Sequence, residues 1–181
     1  MLRKTVSALA IAIAVSASAV AADKAFSPYV DGHGGISLPK DFRTGWTHLG
    51  SWVIDQEGAP GQGFHDVYAR PSDAAAYRKT GHWPDGATLV KEIRAVEHGV
   101  KTTGTGVWAG DNKVWFVMVK DGKGRFADNA SWGNGWGWAL FDAKAPGKNA
   151  STDFHKDCET CHVPAKATDW VFVEGYPTLR H

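Results

Sequence analysis

The sequence predicts an α+β protein whose main element is an antiparallel β-sheet, accompanied by a few short helices. Several segments alternate apolar and polar residues with a period of two, which is typical of strands with one buried face. Short turns rich in glycine, asparagine and aspartate separate these segments, and such strands must run antiparallel because parallel pairs need long crossovers. Only one segment combines helix-favouring alanines with clear start and stop signals.

The first half of the chain contributes one predicted strand and one predicted helix. A loop over residues 58–63, rich in glycine, precedes a short strand over residues 64–69. A helix is expected over residues 71–81, because Ser72 or Asp73 can cap its first turn and a glycine ends it.

The second half contributes the remaining strands and a C-terminal turn region. Alternation together with β-branched and aromatic residues predicts strands over residues 87–97, 103–108 and 113–120. Turn residues at 109–112 and 121–124 are expected to separate or end these strands. A further strand is predicted over 132–141, although glycines are unusual inside a strand. The last segment, 151–166, is typical of a capped turn or a short helix.

The composition is that of an ordinary globular protein. Of the 181 residues, 43% are hydrophobic and 22% are charged, which excludes a disordered tail, a collagen-like repeat and a coiled coil. The net charge is +1, so the chain lacks the basic excess that nucleic-acid-binding proteins carry. The length is typical of one domain, and we expect no nucleic acid among the partners.

The N-terminus has the features of a secretory signal peptide. Two basic residues precede a short apolar stretch over residues 6–15, and Ala21 or Ala22 ends a small-residue cleavage signature. The apolar stretch is too short for a membrane span, which needs about 20 apolar residues. We therefore predict a cleaved signal peptide over residues 1–22. The domain over 23–181 is expected to be exported to the periplasm, without a membrane span.

Residues 158–162 carry the chemistry of the chain. Their sequence, Cys-Glu-Thr-Cys-His, is the C-x-x-C-H attachment signature of a c-type haem. In that arrangement Cys158 and Cys161 bond covalently to the haem vinyl groups, and the adjacent His162 ligates the iron. We expect one covalently attached haem c, which an exported protein cannot then lose.

Three other interpretations of the motif stay open from its spacing. C-x-x-C is also the redox motif of thioredoxin-like proteins, although these place it near a βαβ unit that this region lacks. A zinc site would recruit His155 together with Cys158, Cys161 and His162, a more crowded spacing than that of common zinc sites. A disulfide between the two cysteines is the third interpretation, since export leads to an oxidising compartment.

The candidates for a second axial ligand are weak, which indicates an iron with one open face. An electron-transfer cytochrome normally adds a second strong ligand, commonly methionine. Met118 is the only methionine after the signal segment, and its place in an apolar strand favours packing. A hydrogen-bonded or exposed role is the more common one for a histidine. The histidines considered as sixth ligands are His48, His65, His82, His98 and His155.

Lys91 stands out in the predicted strand over residues 87–97. Period-two alternation places it on one face with Leu89 and Ile93, while Glu92 lies on the opposite face. A lysine on an apolar face is costly unless its amine reaches solvent or its pKa falls through desolvation. Two interpretations stay open: a lysine that extends to solvent, or a neutral amine beside a cofactor that acts as nucleophile or proton carrier.

Three stretches of the sequence resemble the cytochrome P-460 family, which includes hydroxylamine-oxidising cytochromes P-460 and the β-sheet cytochromes c′ (cytochrome c′-β). They are LPKDFRTGWTHLGSW, DVYARPSDAAAYRKTGHWPDGATLVKEI and CETCHVPAKATDWVFVEGYPTLR, of which the last is the most specific. The resemblance implies an antiparallel β fold, an open distal face and commonly a homodimer. It also implies that Lys91, the lysine of LVKEI, is the residue cross-linked to the haem macrocycle, and that Phe64 is the distal phenylalanine that caps the pocket.

Two functions follow as expectations from this resemblance. In the first, hydroxylamine binds the ferric iron opposite His162 and is oxidised to nitric or nitrous oxide, and the electrons pass to a soluble redox partner such as another cytochrome. In the second, the protein is similar to cytochrome c′-β and binds nitric oxide without turnover. Oxidising members are expected to have a distal carboxylate that accepts a proton, and no acid here matches it securely. The candidates are Asp142, Asp153 and Asp157.

Overall fold

The computed structural model of the protein describes residues 26–180. The predicted signal peptide, residues 1–22, lies outside the described residues. The described chain forms a six-stranded antiparallel sheet with a few short helices, which confirms the predicted α+β class. No helix within residues 26–180 combines the length and the apolar character needed to cross a membrane.

The elements follow one another with short connections. The strands are β1 Thr47–Ile54, β2 Gly63–Ala69, β3 Thr88–Lys101, β4 Gly104–Lys120, β5 Trp132–Gly133 and β6 Trp136–Asp142. The α-helices are α1 Phe42–Gly45, α2 Pro71–Thr80, α3 Phe154–Asp157 and α4 Glu159–His162. The 3-10 helices are Val163–Thr168, Val173–Gly175 and Pro177–Leu179. The spatial order of the strands is β1-β2-β3-β4-β6-β5.

Strand β2 and helix α2 lie where the sequence predicts them. Helix α2 ends before Gly81, whose φ of +72° is a left-handed conformation that suits glycine. The predicted cap by Ser72 or Asp73 is wrong, because the helix begins after Arg70 and no side chain caps it. Asp73 instead accepts hydrogen bonds from the Arg70 guanidinium at 2.6 Å and from the Thr88 amide at 3.0 Å, which ties the helix to the start of β3.

The long hairpin of β3 and β4 differs from the prediction. The sequence predicts a turn at residues 109–112, but these residues lie within β4, and the turn is at residues 102–103. The register between the two strands shifts on both sides of Arg94, so the extra residues around Gly110 form a bulge. Turn-forming residue types are tolerated at a bulge, and its position depends on the partner strand.

The two edges of the sheet also differ from the prediction. The predicted strand over 132–141 is divided into β5 and β6 by Asn134 and Gly135. Their φ values of 56° and 79° are the left-handed pair that a tight two-residue hairpin turn requires. At the other edge, the aromatic segment that contains Trp52 has no predicted element, yet it forms β1 because it finds its partner in β2.

The sheet is buried on both faces, and each face has its own core. The first face packs against residues 26–46, which we call the N-terminal segment. The second face packs against α2 and residues 154–179, which we call the C-terminal segment. Leu89 belongs to the second core and Val90 to the first, so the alternation along β3 is as predicted.

The C-terminal segment is fastened to β1 at a close approach of two backbones. A Cβ on Gly50 would collide with the carbonyl oxygen of Gly175, so only glycine allows this approach. Nearby, the Thr178 hydroxyl donates to the carbonyl of Leu49 at 3.0 Å. These contacts hold the segment over the second face of the sheet and leave a cavity between them.

Candidate functional site

A cavity of about 700 Å³ lies between the second face of the sheet and the C-terminal segment. Its volume is within the range of cofactor and small-molecule sites, about 300–1,000 Å³. The sheet side of the cavity is mainly apolar and aromatic, with Trp52, Val67, Phe116 and Met118 among its residues. It also carries two polar side chains, His65 and Lys91. The opposite wall includes Cys158, Cys161, His162, Val171 and Phe172.

The three motif residues predicted to hold a haem lie together on one wall of this cavity. Cys158 joins α3 to α4, and α4 carries Cys161 and His162. Cys158 is buried, and burial raises the pKa of its thiol to about 11, whereas Cys161 is exposed. Both thiols are free, so the disulfide interpretation has no counterpart in the structure.

The imidazole of His162 is held in one orientation that leaves its Nε2 atom for a ligand. Its Nδ1 atom donates to the carbonyl oxygen of Trp170 at 2.8 Å, which places the ring hydrogen on Nδ1 and the lone pair on Nε2. The ring packs edge-on against Trp138, with 4.7 Å between centroids, and lies 5.7 Å from Phe172. Burial is the main cause that lowers the pKa of His162, which favours the neutral, ligating form.

Backbone strain surrounds the carbonyl that orients His162. Asp169 and Trp170 have φ values of 58° and 67°, a left-handed conformation that is uncommon outside glycine. The Lys120 ammonium binds the Asp169 carboxylate at 2.6 Å, and the Trp136 indole donates to the Asp169 carbonyl at 3.0 Å. Such strain persists where the surroundings hold the backbone firmly, and here it directs the next carbonyl at the imidazole.

Lys91 lies on the sheet wall of the same cavity, on the face that the alternation predicts. Its Nζ atom is 5.5 Å from the centroid of the Trp52 ring and 5.3 Å from that of Phe116. In the described part of the chain, none of the ion pairs involves Lys91. Burial lowers the pKa of this amine, opposed by the nearby Cys161 thiol. The lysine therefore directs its amine into the cavity rather than into solvent.

Phe64, predicted as the distal cap, does not line the cavity, and this prediction needs correction. Side chains alternate along β2, and the strand turns His65 and Val67 toward the cavity. Phe64 is consequently placed on the other side of the strand. The sheet supplies a different phenylalanine to the cavity, Phe116, which is the register partner of Lys91 on β4.

Of the side chains considered as a second axial ligand of the iron, two line the cavity, His65 and Met118. The remaining candidate histidines are exposed: His48, His82, His98 and His155. Met118 lines the cavity as part of the second core. Within residues 26–180 no group of three or more His, Cys, Asp or Glu side chains is arranged to hold a metal ion, so the zinc interpretation lacks a ligand set. All strand pairs of the described sheet are antiparallel, so this part of the chain offers no βαβ unit for a thioredoxin-like centre.

His65 is a cavity residue that the sequence leaves among five equal candidates. It is buried, with 2% exposure, and its ring stacks on Trp52 with 4.9 Å between centroids. Its Nε2 atom donates to the carbonyl of Gly61 at 2.7 Å, and its Nδ1 atom has no hydrogen-bond partner in the described chain. Because side chains alternate along β2, His65 and Val67 lie on the same face of the strand. Val67 is the register partner of Lys91, so the register between β2 and β3 places His65 on the cavity side.

Carboxylates are scarce in the cavity wall. Of the predicted proton acceptors, Asp157 lines the cavity, whereas Asp142 and Asp153 do not, and the other lining acid is the exposed Glu174. The Asp157 carboxylate accepts a hydrogen bond from the Thr152 amide at 2.9 Å, and this bond is the first of several that lower its pKa. Asp157 is therefore engaged in shaping the turn before α3.

The residues of the cavity fit an attached haem. Two free thiols and an imidazole with an available Nε2 form the donor set of a c-type haem. The predominantly apolar and aromatic wall suits a flat macrocycle.

The match to a known family agrees with this geometry. A family model described as Cytochrome P460 matches residues 39–173, which is more than half of the chain and includes both β3 and the haem motif. The chain matches no curated protein. Together with the antiparallel sheet and the motif-lined cavity, the family match shows that the chain belongs to the Cytochrome P460 family and is a haem cytochrome.

Proposed function

We propose that the protein is an exported c-type cytochrome that oxidises hydroxylamine to nitric or nitrous oxide. In this proposal one haem is attached through Cys158 and Cys161, and His162 is its proximal ligand. The observation that carries the proposal is the position of Lys91 on the wall of the cavity that these three residues also line. A lysine in this position fits the cross-linking residue of the cytochromes P-460.

The chain and the haem contribute different parts of the chemistry. When bound, the haem supplies an iron that coordinates a nitrogen ligand and passes electrons on. The Trp170 carbonyl keeps His162 in the tautomer that ligates through Nε2. The apolar and aromatic wall, which includes Val67 and Phe116, limits the water that reaches the bound ligand.

Lys91 is the nucleophile of the proposed cross-link. Burial favours its neutral amine, which is the nucleophilic form. A bond from Nζ to a carbon of the macrocycle replaces one N–H and one C–H bond, so its formation removes two electrons and two protons. Dioxygen or hydrogen peroxide would accept them. The bond would alter the electronic structure of the ring and hold the haem in place.

The proposed reaction needs an external electron acceptor. Oxidation of one hydroxylamine to nitric oxide releases three electrons and three protons, and oxidation of two to nitrous oxide and water releases four of each. A soluble redox partner, such as another cytochrome, would take the electrons. The substrate would bind at the iron face opposite His162.

This substrate position requires an iron that is five-coordinate or water-ligated at rest. Met118 packs in the second core, and four of the five candidate histidines lie outside the cavity, which supports the proposal. Electron paramagnetic resonance of the resting ferric protein tests it. A purely low-spin centre with two protein ligands would contradict it.

The Lys91→Ala variant tests the proposed function, with Lys101→Ala as its control because Lys101 is an exposed lysine of the same strand. The ferrous wild-type protein should show a Soret band shifted strongly to the red, together with hydroxylamine oxidation when an electron acceptor is added. Lys91→Ala should show the spectrum of an ordinary c-type haem and lose the oxidation. Lys101→Ala should keep both properties.

Mass and size measurements test attachment, export and assembly. The intact mass should equal that of a chain cleaved after Ala21 or Ala22 plus one haem, less the two hydrogens that the proposed Lys91 cross-link removes. A bare chain with a disulfide between Cys158 and Cys161 would contradict haem attachment. Size-exclusion chromatography with light scattering should give the mass of the proposed homodimer.

Nitric oxide binding without turnover, as in cytochrome c′-β, is the second candidate function. The scarcity of carboxylates in the cavity favours it, because Asp157 is engaged elsewhere and Glu174 is exposed. If wild type and Lys91→Ala share one spectrum and one nitric oxide affinity, this second function replaces the first.

A further inference from the structure

We infer that His65 is the polar subsite of the cavity, where its Nδ1 atom accepts a hydrogen bond from the small molecule bound there. This subsite selects ligands that carry an N–H or O–H group, such as hydroxylamine, over diatomic ligands without hydrogen. The inference rests on the proposed function, because it takes the ligand to be bound at the haem iron.

The hydrogen bonds of the ring determine which of its nitrogens accepts. The Gly61 carbonyl can only accept, so the Nε2 atom of His65 must carry the hydrogen of their 2.7 Å bond. Nδ1 is then an acceptor with a free lone pair, and it is buried without a partner in the described residues. Leaving a buried acceptor unpaired is unfavourable, so a donor on a bound ligand stabilises this arrangement.

The surroundings hold the ring in position before any ligand arrives. Trp52 stacks on it with an interplanar angle of 25°, and the Gly61 bond prevents a ring flip that would exchange the two nitrogens. Lys91 lies one diagonal step away on β3, because Val67 is its register partner and His65 pairs with Ile93. The ring and the amine therefore face the same cavity from neighbouring strands.

Burial favours the neutral, accepting form of the His65 imidazole. It is the main cause that lowers the pKa of His65, and it outweighs the opposing hydrogen bond to Gly61. The nearby Lys91 and Lys113 also lower this pKa, whereas the adjacent Asp66 raises it. The neutral ring is thus favoured near pH 7. His65 lines the cavity, and its Nδ1 atom is the buried acceptor of this wall that has no partner in the described residues.

The matched variants His65→Leu and His65→Asn test the subsite. Leucine removes the acceptor, whereas the Oδ1 atom of asparagine takes the place of Nδ1. His98→Leu is the control, because His98 is exposed on the outer part of β3 and lies near Asp55. Two ligands are titrated optically into the haem-loaded proteins: hydroxylamine into the ferric form without an electron acceptor, and carbon monoxide into the ferrous form.

The inference predicts a selective loss of affinity. His65→Leu should bind hydroxylamine roughly tenfold more weakly, the effect of one lost hydrogen bond, and should bind carbon monoxide as wild type does. His65→Asn should recover part of the hydroxylamine affinity, and His98→Leu should match wild type for both ligands. Circular dichroism checks that each variant folds. If the leucine variant does not fold, His65→Phe replaces it as the variant without the acceptor. The ratio of the two ligand affinities is then compared between His65→Phe and His65→Asn.

Three results would overturn the inference. Unchanged hydroxylamine affinity in a folded variant without the acceptor would show that Nδ1 accepts nothing from the ligand. Equal losses for both ligands would reduce His65 to a residue that shapes the cavity. A low-spin wild-type spectrum that His65→Leu converts to high spin would make His65 an iron ligand. Failure of the proposed function looks different: wild type would bind hydroxylamine with the expected His65 dependence and yet not oxidise it.

Discussion

Lys91 and Glu92 are neighbours on β3, yet the two faces of the sheet surround their charges in opposite ways. Glu92 is fully buried on the first face. It accepts hydrogen bonds from the Arg43 guanidinium at 3.0 Å, the Trp115 indole at 3.3 Å and the Tyr68 hydroxyl at 3.4 Å. On the second face, Lys91 contacts aromatic rings and forms none of the ion pairs found in residues 26–180.

The difference separates a structural charge from a chemically available one. Arg43 lies in α1, so its bond to Glu92 joins the N-terminal segment to the sheet. Lys91 has no such carboxylate, and the cost of burying its ammonium makes the neutral amine accessible. A buried carboxylate with a full set of donors joins two parts of the fold, whereas a buried lysine without a carboxylate is available to react as the neutral amine.

Arg43→Ala is expected to have the largest effect on stability. It leaves the Glu92 carboxylate buried with two neutral donors, and breaking a buried ion pair from one side costs about 3–5 kcal/mol. Because 43% of the Arg43 side chain is exposed, we expect the low end of this range. Urea unfolding followed by circular dichroism measures the loss, and the haem spectrum should not change.

A double variant separates charge pairing from packing in this experiment. Arg43→Met combined with Glu92→Leu replaces the ion pair with apolar side chains, and such replacements are often neutral. The double variant should therefore regain most of the lost free energy of unfolding. A loss as large as that of Arg43→Ala would mean that shape, and not the pairing of charges, holds the N-terminal segment.

The pair Lys91→Arg and Lys91→Met tests the other face. Neither side chain can form the proposed bond to the haem, so their comparison isolates the charge. Arginine keeps its proton, since the guanidinium stays charged even in proteins, whereas methionine is apolar. We expect the arginine variant to be less stable by about 2 kcal/mol in urea unfolding, because it buries a charge without a carboxylate. Equal stabilities would indicate that this position is well solvated.

Trp115→Phe is expected to have a smaller effect. The change removes the indole donor to Glu92 and leaves Arg43 in place, so the loss should be about 1 kcal/mol, typical of one hydrogen bond. Trp108→Phe is a suitable control, because Trp108 lies on the same strand but is exposed. Thermal or urea unfolding should distinguish the two, and equal losses would argue against the indole bond.

Tyr68→Phe is expected to change stability least at neutral pH, by about 0.5 kcal/mol, because its bond to Glu92 is long. Its effect appears in alkali. Burial is the main cause that raises the pKa of Tyr68 from 10 to about 12. Above pH 10 the unfolded phenol ionises before the folded one, so stability present below pH 10 is lost as the pH rises through 12. The variant should show a flatter decline of the unfolding free energy, and parallel declines would contradict the raised pKa.

Local signals were sufficient for the features that depend on few neighbours. The C-x-x-C-H motif and the alternation around Lys91 are readable within a few residues, and the structure brings both to one cavity. The bulge near Gly110 and the assignment of β1 depend on partner strands, which local patterns do not specify. The same holds for Phe64, which the resemblance implies as the distal cap: a motif match identifies a residue, but the sheet determines where its side chain lies, and Phe64 does not line the cavity.

The two thiols of the motif are unequal, and this inequality bears on how a haem would be attached. Cys161 is exposed at the surface, whereas Cys158 is buried and lines the cavity. Under the proposed attachment, the Cys158 thiol meets the haem from inside the cavity, while Cys161 is also open to solvent. The bond to Cys158 therefore requires a haem that has already entered the cavity.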